Sequence, residues 1–123
     1  MTAIARYRTT VFDCPDPLEL ARFYSQVLDW PIVTQEDTWV VVSDGGSPRR
    51  LAFNKADDYH APEWPRPDRP QQLHLDLTVD DLDAAEAQVV ALGARKHEHQ
   101  PGEDDGFRVF LDPAGHPFCL VVD

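Results

Sequence analysis

The side chains best suited to chemistry are His74 and Asp76, two residues apart in the apolar segment LHLDLTV. In a β-strand, residues two apart lie on the same face, so the imidazole and the carboxylate would be neighbours. Such a pair can work as acid and base, because the carboxylate orients the imidazole and stabilises its protonated form. The alternative is a buried, mutually satisfied pair that only holds the structure together. The sequence leaves both readings open.

The chain has two cysteines, Cys14 and Cys119, without the CxxC spacing of zinc knuckles or redox motifs. Cys14 precedes a proline and is predicted to be inert packing, whereas Cys119 lies in the apolar segment 117–122. With His74 and Asp76, Cys119 would complete a nitrogen, oxygen and sulfur donor set that suits Zn²⁺ or Fe²⁺ better than Mg²⁺ or Mn²⁺. We predict a site without a metal or other cofactor; a divalent metal, if bound, would use these three residues.

Three further histidines receive structural interpretations. His97 and His99 share a face of the predicted strand and could chelate a metal, but two histidines beside Lys96 and Glu98 are more typical of a solvated edge. His116 follows the turn residues DPAG and is predicted to cap backbone groups of that turn.

The pattern of strands and helices occurs twice along the chain, which predicts an α+β fold. Asp16 and the acidic residues 80, 81 and 83 mark the starts of two helices, and Gly93 is predicted to close the second in a left-handed conformation. Neither half could bury its sheet and helix faces alone. We therefore predict two βαβββ modules that form a curved mixed sheet with a concave cleft and helices outside. The predicted strands are 7–13, 32–36, 39–43, 50–55, 73–79, 94–98, 107–111 and 117–122.

Length and composition predict a single domain over residues 1–123. Module one covers about 5–60 and module two 71–123. They are joined by a proline-rich crossover, APEWPRPDRP at 61–70, because its prolines cannot lie in a sheet interior.

The net charge of −11 argues against a nucleic-acid partner, since an acidic surface repels phosphate. No apolar run is long enough to span a bilayer, so we predict a cytoplasmic protein without a membrane partner. Frequent Ala, Arg, Asp and Pro suggest a bacterial genome of high GC content.

Three segments together resemble the vicinal oxygen chelate superfamily, which contains glyoxalases, bleomycin-resistance proteins and extradiol dioxygenases. They are DCPDPLELARFYSQVLDW, LHLDLTVDDLDAAEAQVVALGA and DPAGHPFCLV, in this order and spacing. The chain is most similar to the small bacterial glyoxalase-like domain proteins. The resemblance implies paired βαβββ modules around a U-shaped cleft. Enzymes of the superfamily hold a divalent metal there, and its binding proteins sequester flat hydrophobic drugs without metal.

The resemblance places the four metal-ligand positions on the first and last strands of each module. In this sequence they fall at Thr9, at Phe53 or Asn54, at His74, and at Cys119, where metal-dependent relatives carry glutamate. Only His74 keeps a ligand of the family type. We therefore predict a binding protein for a small molecule, without the full metal site. The alternative is a lyase, isomerase or dioxygenase that uses a divalent metal, or a metal-free enzyme that uses His74 and Asp76.

Four aromatic residues, together with Thr9, His74 and Cys119, are predicted to line a largely apolar pocket for a small apolar or aromatic molecule. Trp39 and Phe107 lie on strands expected to flank the cleft, Phe53 faces inward, and Trp64 lies in the crossover, which could act as a lid. Ordinary core filling is the alternative for each ring. A homodimer is left open.

Overall fold

A computed structural model describes residue 3 and residues 7–46 and 50–122 of the chain. The chain divides into two compact units, Met1–Tyr59 and His60–Asp123. The proline-rich segment, predicted to be a crossover, therefore belongs to the second unit. It contains no helix or strand.

The first unit contains one helix and a mixed four-stranded sheet. Its elements are β1 Thr10–Cys14, α1 Pro17–Leu28, β2 Ile32–Gln35, β3 Trp39–Ser43 and β4 Arg50–Lys55. The strand order is β1-β4-β3-β2, in which β1 runs parallel to β4 and the remaining pairs are antiparallel.

Helix α1 begins where its sequence predicts. The Asp16 carboxylate accepts a hydrogen bond from the Glu19 amide at 3.2 Å, and Pro17 occupies the first turn. The helix closes at Asp29 in the left-handed conformation, with φ of 54°. Its buried face presents Leu20 and Tyr24 to the sheet, so α1 covers one side of it.

The second unit repeats this arrangement. Its elements are β5 Leu75–Thr78, α2 Leu82–Ala91, β6 Arg95–Lys96, β7 Phe107–Leu111 and β8 Pro117–Val121. The order is β5-β8-β7-β6, with β5 parallel to β8. Asp81 caps α2 by accepting from the amides of Asp83 and Ala84, and Gly93 follows the helix with a positive φ of 118°.

Both units have the predicted βαβββ order, which confirms the fold class. The concave cleft stays a prediction. Strand β5 begins at Leu75, so His74 lies immediately before it rather than within it. No helix in the described part of the chain combines the length and apolarity needed to cross a membrane.

Strand β6 is shorter than predicted, two residues instead of five. Beyond β6 the His97 N–H still donates to the Val109 carbonyl at 3.0 Å, and the side chain of Gln100 continues the pairing with β7. Its amide nitrogen donates to the Val109 carbonyl at 2.8 Å, and its amide oxygen accepts from the Val109 N–H at 2.9 Å. A side chain that satisfies the backbone of β7 in this way removes the need for a longer edge strand.

Candidate functional site

Asp76 and Cys119 lie opposite each other in the parallel pairing of β5 with β8. Residues paired in this way point to the same face of a sheet. The opposite face belongs to α2, because Arg108, which pairs with Leu120, donates to Asp83 and Glu86 of that helix at 2.8 and 3.0 Å. Asp76 and Cys119 therefore point away from α2.

His74, Asp76 and Cys119 form a compact group that we call the polar trio. Their nearest ligand atoms all lie within 4.8 Å of one another, and His74 Nε2 is 3.2 Å from Asp76 Oδ1. The side chains of His74 and Asp76 are 39% and 64% exposed, whereas Cys119 is 8% exposed. The structure thus brings together both predicted catalytic residues and the predicted third ligand, with two of them open to solvent.

Cys119 is a neutral thiol in this environment. Burial, together with the negative charge of Asp76 and its hydrogen bond to the thiol, raises the pKa of Cys119 to about 11, and burial is the largest cause. Since these causes disfavour the thiolate, the sulfur stays protonated at neutral pH and donates to the carboxylate. The Asp76 carboxylate consequently accepts a hydrogen bond from the thiol and also faces His74.

The surface beside the trio is apolar. Val109 pairs with Cys119 and is 3% exposed, and Phe107 lies two residues further along the same face of β7. The ring of Phe107 packs so closely on Gly102 that a Cβ there would lie 2.3 Å from it. Glycine at this position lets the loop cover the ring. The face is therefore polar at β5 and apolar at β7.

The donor chemistry of the trio fits a soft divalent cation. Zn²⁺ accepts nitrogen, oxygen and sulfur ligands, and catalytic zinc sites commonly use three protein ligands with one position left open. Among the described residues, the trio is the one group of three or more such side chains. Binding would displace the thiol proton and the contacts that the three side chains now make with one another.

The first unit has the same backbone register without the same chemistry. Aligning the two halves of the sequence with an offset of 65 residues places Thr9 at the position of His74 and Val11 at that of Asp76. Val11 pairs with Ala52 on β4, so Ala52 corresponds to Cys119. One hydroxyl and two apolar side chains do not form a metal site.

The predicted inward orientation of Phe53 is wrong. Its side chain is fully buried on the α1 side, with its ring stacked on Tyr24 at 5.8 Å between centroids and tilted against Phe12 at 5.5 Å. The neighbouring Asn54 lies on the opposite face, where its amide donates to Asp13 at 3.3 Å. Phe53 is a core residue of the first unit.

Two other predicted ligand contacts lie in the first unit. Trp39 pairs with Asn54, so it shares the sheet face away from α1, and it is half-buried. Thr9 precedes β1, and its hydroxyl donates to the Thr10 carbonyl at 3.2 Å. Their roles in ligand binding stay predictions.

Trp64 does not join the polar trio. Its ring packs against His97 and His99, with centroids 5.2 and 5.1 Å away, just beyond β6 at the opposite edge of the sheet from β5. With strands about 4.8 Å apart, roughly 14 Å separates these edges. The two histidines were predicted to be solvated; His99 is exposed and His97 is half-buried, and both also contact Trp64. In the described chain they belong to no group of three metal-binding side chains.

The turn before β8 is held by Asp112, a residue that the sequence interpretation missed. Its carboxylate is fully buried and accepts from the amides of Ala114 and His116 at 2.9 and 3.0 Å. His116 was predicted to cap this turn, but here it contributes its backbone N–H. Aspartate at the start of DPAG is a known turn signal, so Asp112 could have been identified.

Cys14 is buried, as predicted, and its thiol lies 3.6 Å from the Asn54 carbonyl. Val109 is the other residue that sequence interpretation missed. The alternation in FRVFL places Phe107, Val109 and Leu111 on one face, which would have indicated an apolar neighbour for Cys119.

Comparison with known proteins gives the same fold over nearly the whole chain. A family model described as "Glyoxalase-like domain" matches residues 9–121. No curated protein matches this sequence.

Solved structures with the same fold share little sequence with this chain. A glyoxalase/bleomycin resistance protein/dioxygenase family enzyme from Burkholderia phytofirmans has a TM-score of 0.73 at 16% identity, covering 96% of this chain and 98% of its own. A possible glyoxalase from Bacillus cereus has a TM-score of 0.68 at 12% identity, covering 97% and 99%. A fosfomycin resistance protein from Mesorhizobium loti has a TM-score of 0.64 at 18% identity, covering 98% and 92%.

Proposed function

Because the chain belongs to the glyoxalase-like domain family of the vicinal oxygen chelate superfamily, we propose that it binds a small, largely apolar or aromatic molecule. The ligand contacts the sheet face that carries His74, Asp76 and Cys119. The observation that carries the proposal is the convergence of these three side chains within 4.8 Å, beside the apolar residues Val109 and Phe107. Small-molecule sites usually combine an apolar surface with a few polar groups that orient the ligand.

One observation favours binding without the full metal site of the superfamily. The corresponding positions of the first unit, Thr9, Val11 and Ala52, offer a single weak donor. The fold itself does not decide, because similar structures are named both as enzymes and as a resistance protein.

The proposal is tested by ligand screening with isotope-labelled protein. A set of planar aromatic fragments is titrated while backbone amide signals are followed by NMR. We expect saturable shifts at Asp76, Cys119 and Val109. Val109→Asp would place a charge in the apolar part of the face and should weaken binding at least tenfold, since an unpaired buried charge is costly. Val33→Asp, at an exposed position of β2, is the matched control. Shifts confined to other regions would refute the proposal.

A second candidate is a metal-dependent lyase, isomerase or dioxygenase, and the geometry of the trio favours it. His74, Asp76 and Cys119 would hold the ion, and an open coordination position would polarise an oxygen of the substrate. Metal-free acid–base catalysis by His74 and Asp76, 3.2 Å apart, stays a prediction.

Metal analysis separates the two candidates. Protein purified without chelators is measured by mass spectrometry of its metals. The same measurement is made on His74→Ala and on the control His60→Ala, which removes another exposed histidine that is not part of the trio. The binding proposal expects far less than one ion per chain in all three proteins. Stoichiometric Zn²⁺ or Fe²⁺ that is lost in His74→Ala and kept in His60→Ala would establish the metal-dependent candidate instead.

A further inference from the structure

We infer that the ligand of the polar trio carries a protonated amine, which contacts the Asp76 carboxylate while the apolar part of the ligand lies along β8 and β7. This inference rests on the proposed function, since it names the chemical class that the same face would take. It follows from how charge is distributed over the two faces of the second sheet.

Asp76 has the capacity for a further partner. A carboxylate offers about four acceptor positions on its two oxygens. The thiol of Cys119 and the imidazole of His74 face it, and its side chain is nevertheless 64% exposed. These open acceptor positions are therefore accessible to a donor group on a ligand.

The basic residues of the neighbouring strands do not neutralise Asp76. Arg108 and Lys96 lie within 3.2 Å of Glu86 on the α2 side of the sheet, and Arg108 also binds Asp83. Arg95 pairs with Leu111 and so shares the face of the trio, but it lies on β6, three strands from β5. That spacing, roughly 14 Å, exceeds the screening length of about 10 Å at 0.1 M salt.

The basic group nearest to Asp76 is His74, whose Nε2 lies 3.2 Å from Asp76 Oδ1, and the Asp76 side chain is still 64% exposed beside it. The next residues on this face, Cys119, Val109 and Phe107, include no basic side chain. The whole chain, at −11, also repels anions. A ligand with a cationic head and an apolar body matches this face, because the head can contact Asp76 on β5 while the body lies towards the apolar residues of β7. A carboxylate head would instead be repelled by the like charge of Asp76.

A matched ligand series tests the inference. The probes are 4-phenylbutylamine, 4-phenylbutan-1-ol and 4-phenylbutyrate, which share the apolar body and differ in the head group. Each is titrated at pH 7.5, and affinity is taken from the amide shifts of Cys119 and Val109. We expect the amine to bind about fivefold more tightly than the alcohol, as for a partly exposed charge pair, and the carboxylate to bind most weakly. The preference should shrink in 0.5 M NaCl because salt screens exposed charges.

Two variants that change the net charge equally test whether the preference for the amine depends on Asp76. Asp76→Asn should remove the preference for the amine over the alcohol, whereas Asp80→Asn, at an exposed position after β5, should keep it. Equal binding of amine and alcohol would overturn the inference and leave the proposed function intact. Equal losses in both variants would also overturn it, because long-range charge would then explain the preference. Absence of binding by all three probes at this face would count against both the inference and the proposed function.

Discussion

Replacing Asp76 by asparagine should make Cys119 more reactive. The thiol has a pKa of about 11, raised first by burial and then by the charge and hydrogen bond of Asp76. Asparagine has nearly the same size, so burial remains while the negative charge is removed. The pKa of Cys119 should therefore fall from about 11 towards 9.0, the ordinary value for a cysteine thiol.

The size of the effect follows from thiolate chemistry. When the pH lies below the pKa of Cys119 in both the wild type and Asp76→Asn, each unit by which the pKa is lowered raises the thiolate fraction about tenfold. A less basic thiolate is also a weaker nucleophile, with a Brønsted coefficient of about 0.4–0.5, which cancels part of the gain. The net expectation is a three- to fourfold faster reaction per unit, estimated roughly from these two factors.

The assay measures modification of Cys119 by methyl methanethiosulfonate between pH 8 and 10, quantified by mass spectrometry of peptides. Cys14, which is fully buried, reports any unfolding in the same sample. The wild-type rate should rise tenfold per pH unit throughout this range, because the pH stays below the pKa. Asp80→Asn should behave like the wild type. Identical rate profiles for wild type and Asp76→Asn would refute the contact between the carboxylate and the thiol.

Two further predictions concern stability, measured by urea denaturation. Asp112→Ala should lower the free energy of unfolding by about 2–3 kcal/mol, since two partly buried amides lose their acceptor. Asp112→Asn should cost less because it keeps an oxygen there, and equal losses in the two variants would contradict this account of the turn. Gly102→Ala should lower the free energy of unfolding by about 1–3 kcal/mol because its Cβ would meet the Phe107 ring. Most of this loss should vanish when the same change is made in Phe107→Ala protein. If the losses of the two single variants simply add in the double variant, the steric explanation is wrong.

The sequence predicted the elements and their order because each has local signals. Asp16 and Asp81 mark helix starts by the short side chains that accept from backbone amides, and both act as caps in the structure. The proximity of His74 and Asp76 was predictable for a similar reason. Period-two alternation depends only on the strand itself and not on its neighbours.

The orientation of β4 was not predictable from its sequence. Leu51, Ala52 and Phe53 are all buried, so the strand has no polar residue at these positions to mark an outer face. A shift of one residue exchanges the two faces, and only the pairing with β1 shows that Ala52 corresponds to Cys119. The placement of Trp64 likewise depends on a contact between segments far apart in sequence, which no local pattern contains.

The equivalence of Ala52 and Cys119 means that the first unit repeats the strand register of the polar trio without its side chains. Thr9, Val11 and Ala52 occupy, on β1 and β4, the register that the polar trio occupies on β5 and β8. Both units therefore have the strand pairing needed to bring an imidazole, a carboxylate and a thiol together, but only the second unit carries these three side chains. Thr9→His, Val11→Asp and Ala52→Cys would transplant the trio, so the contribution of the surrounding side chains could be separated from that of the scaffold.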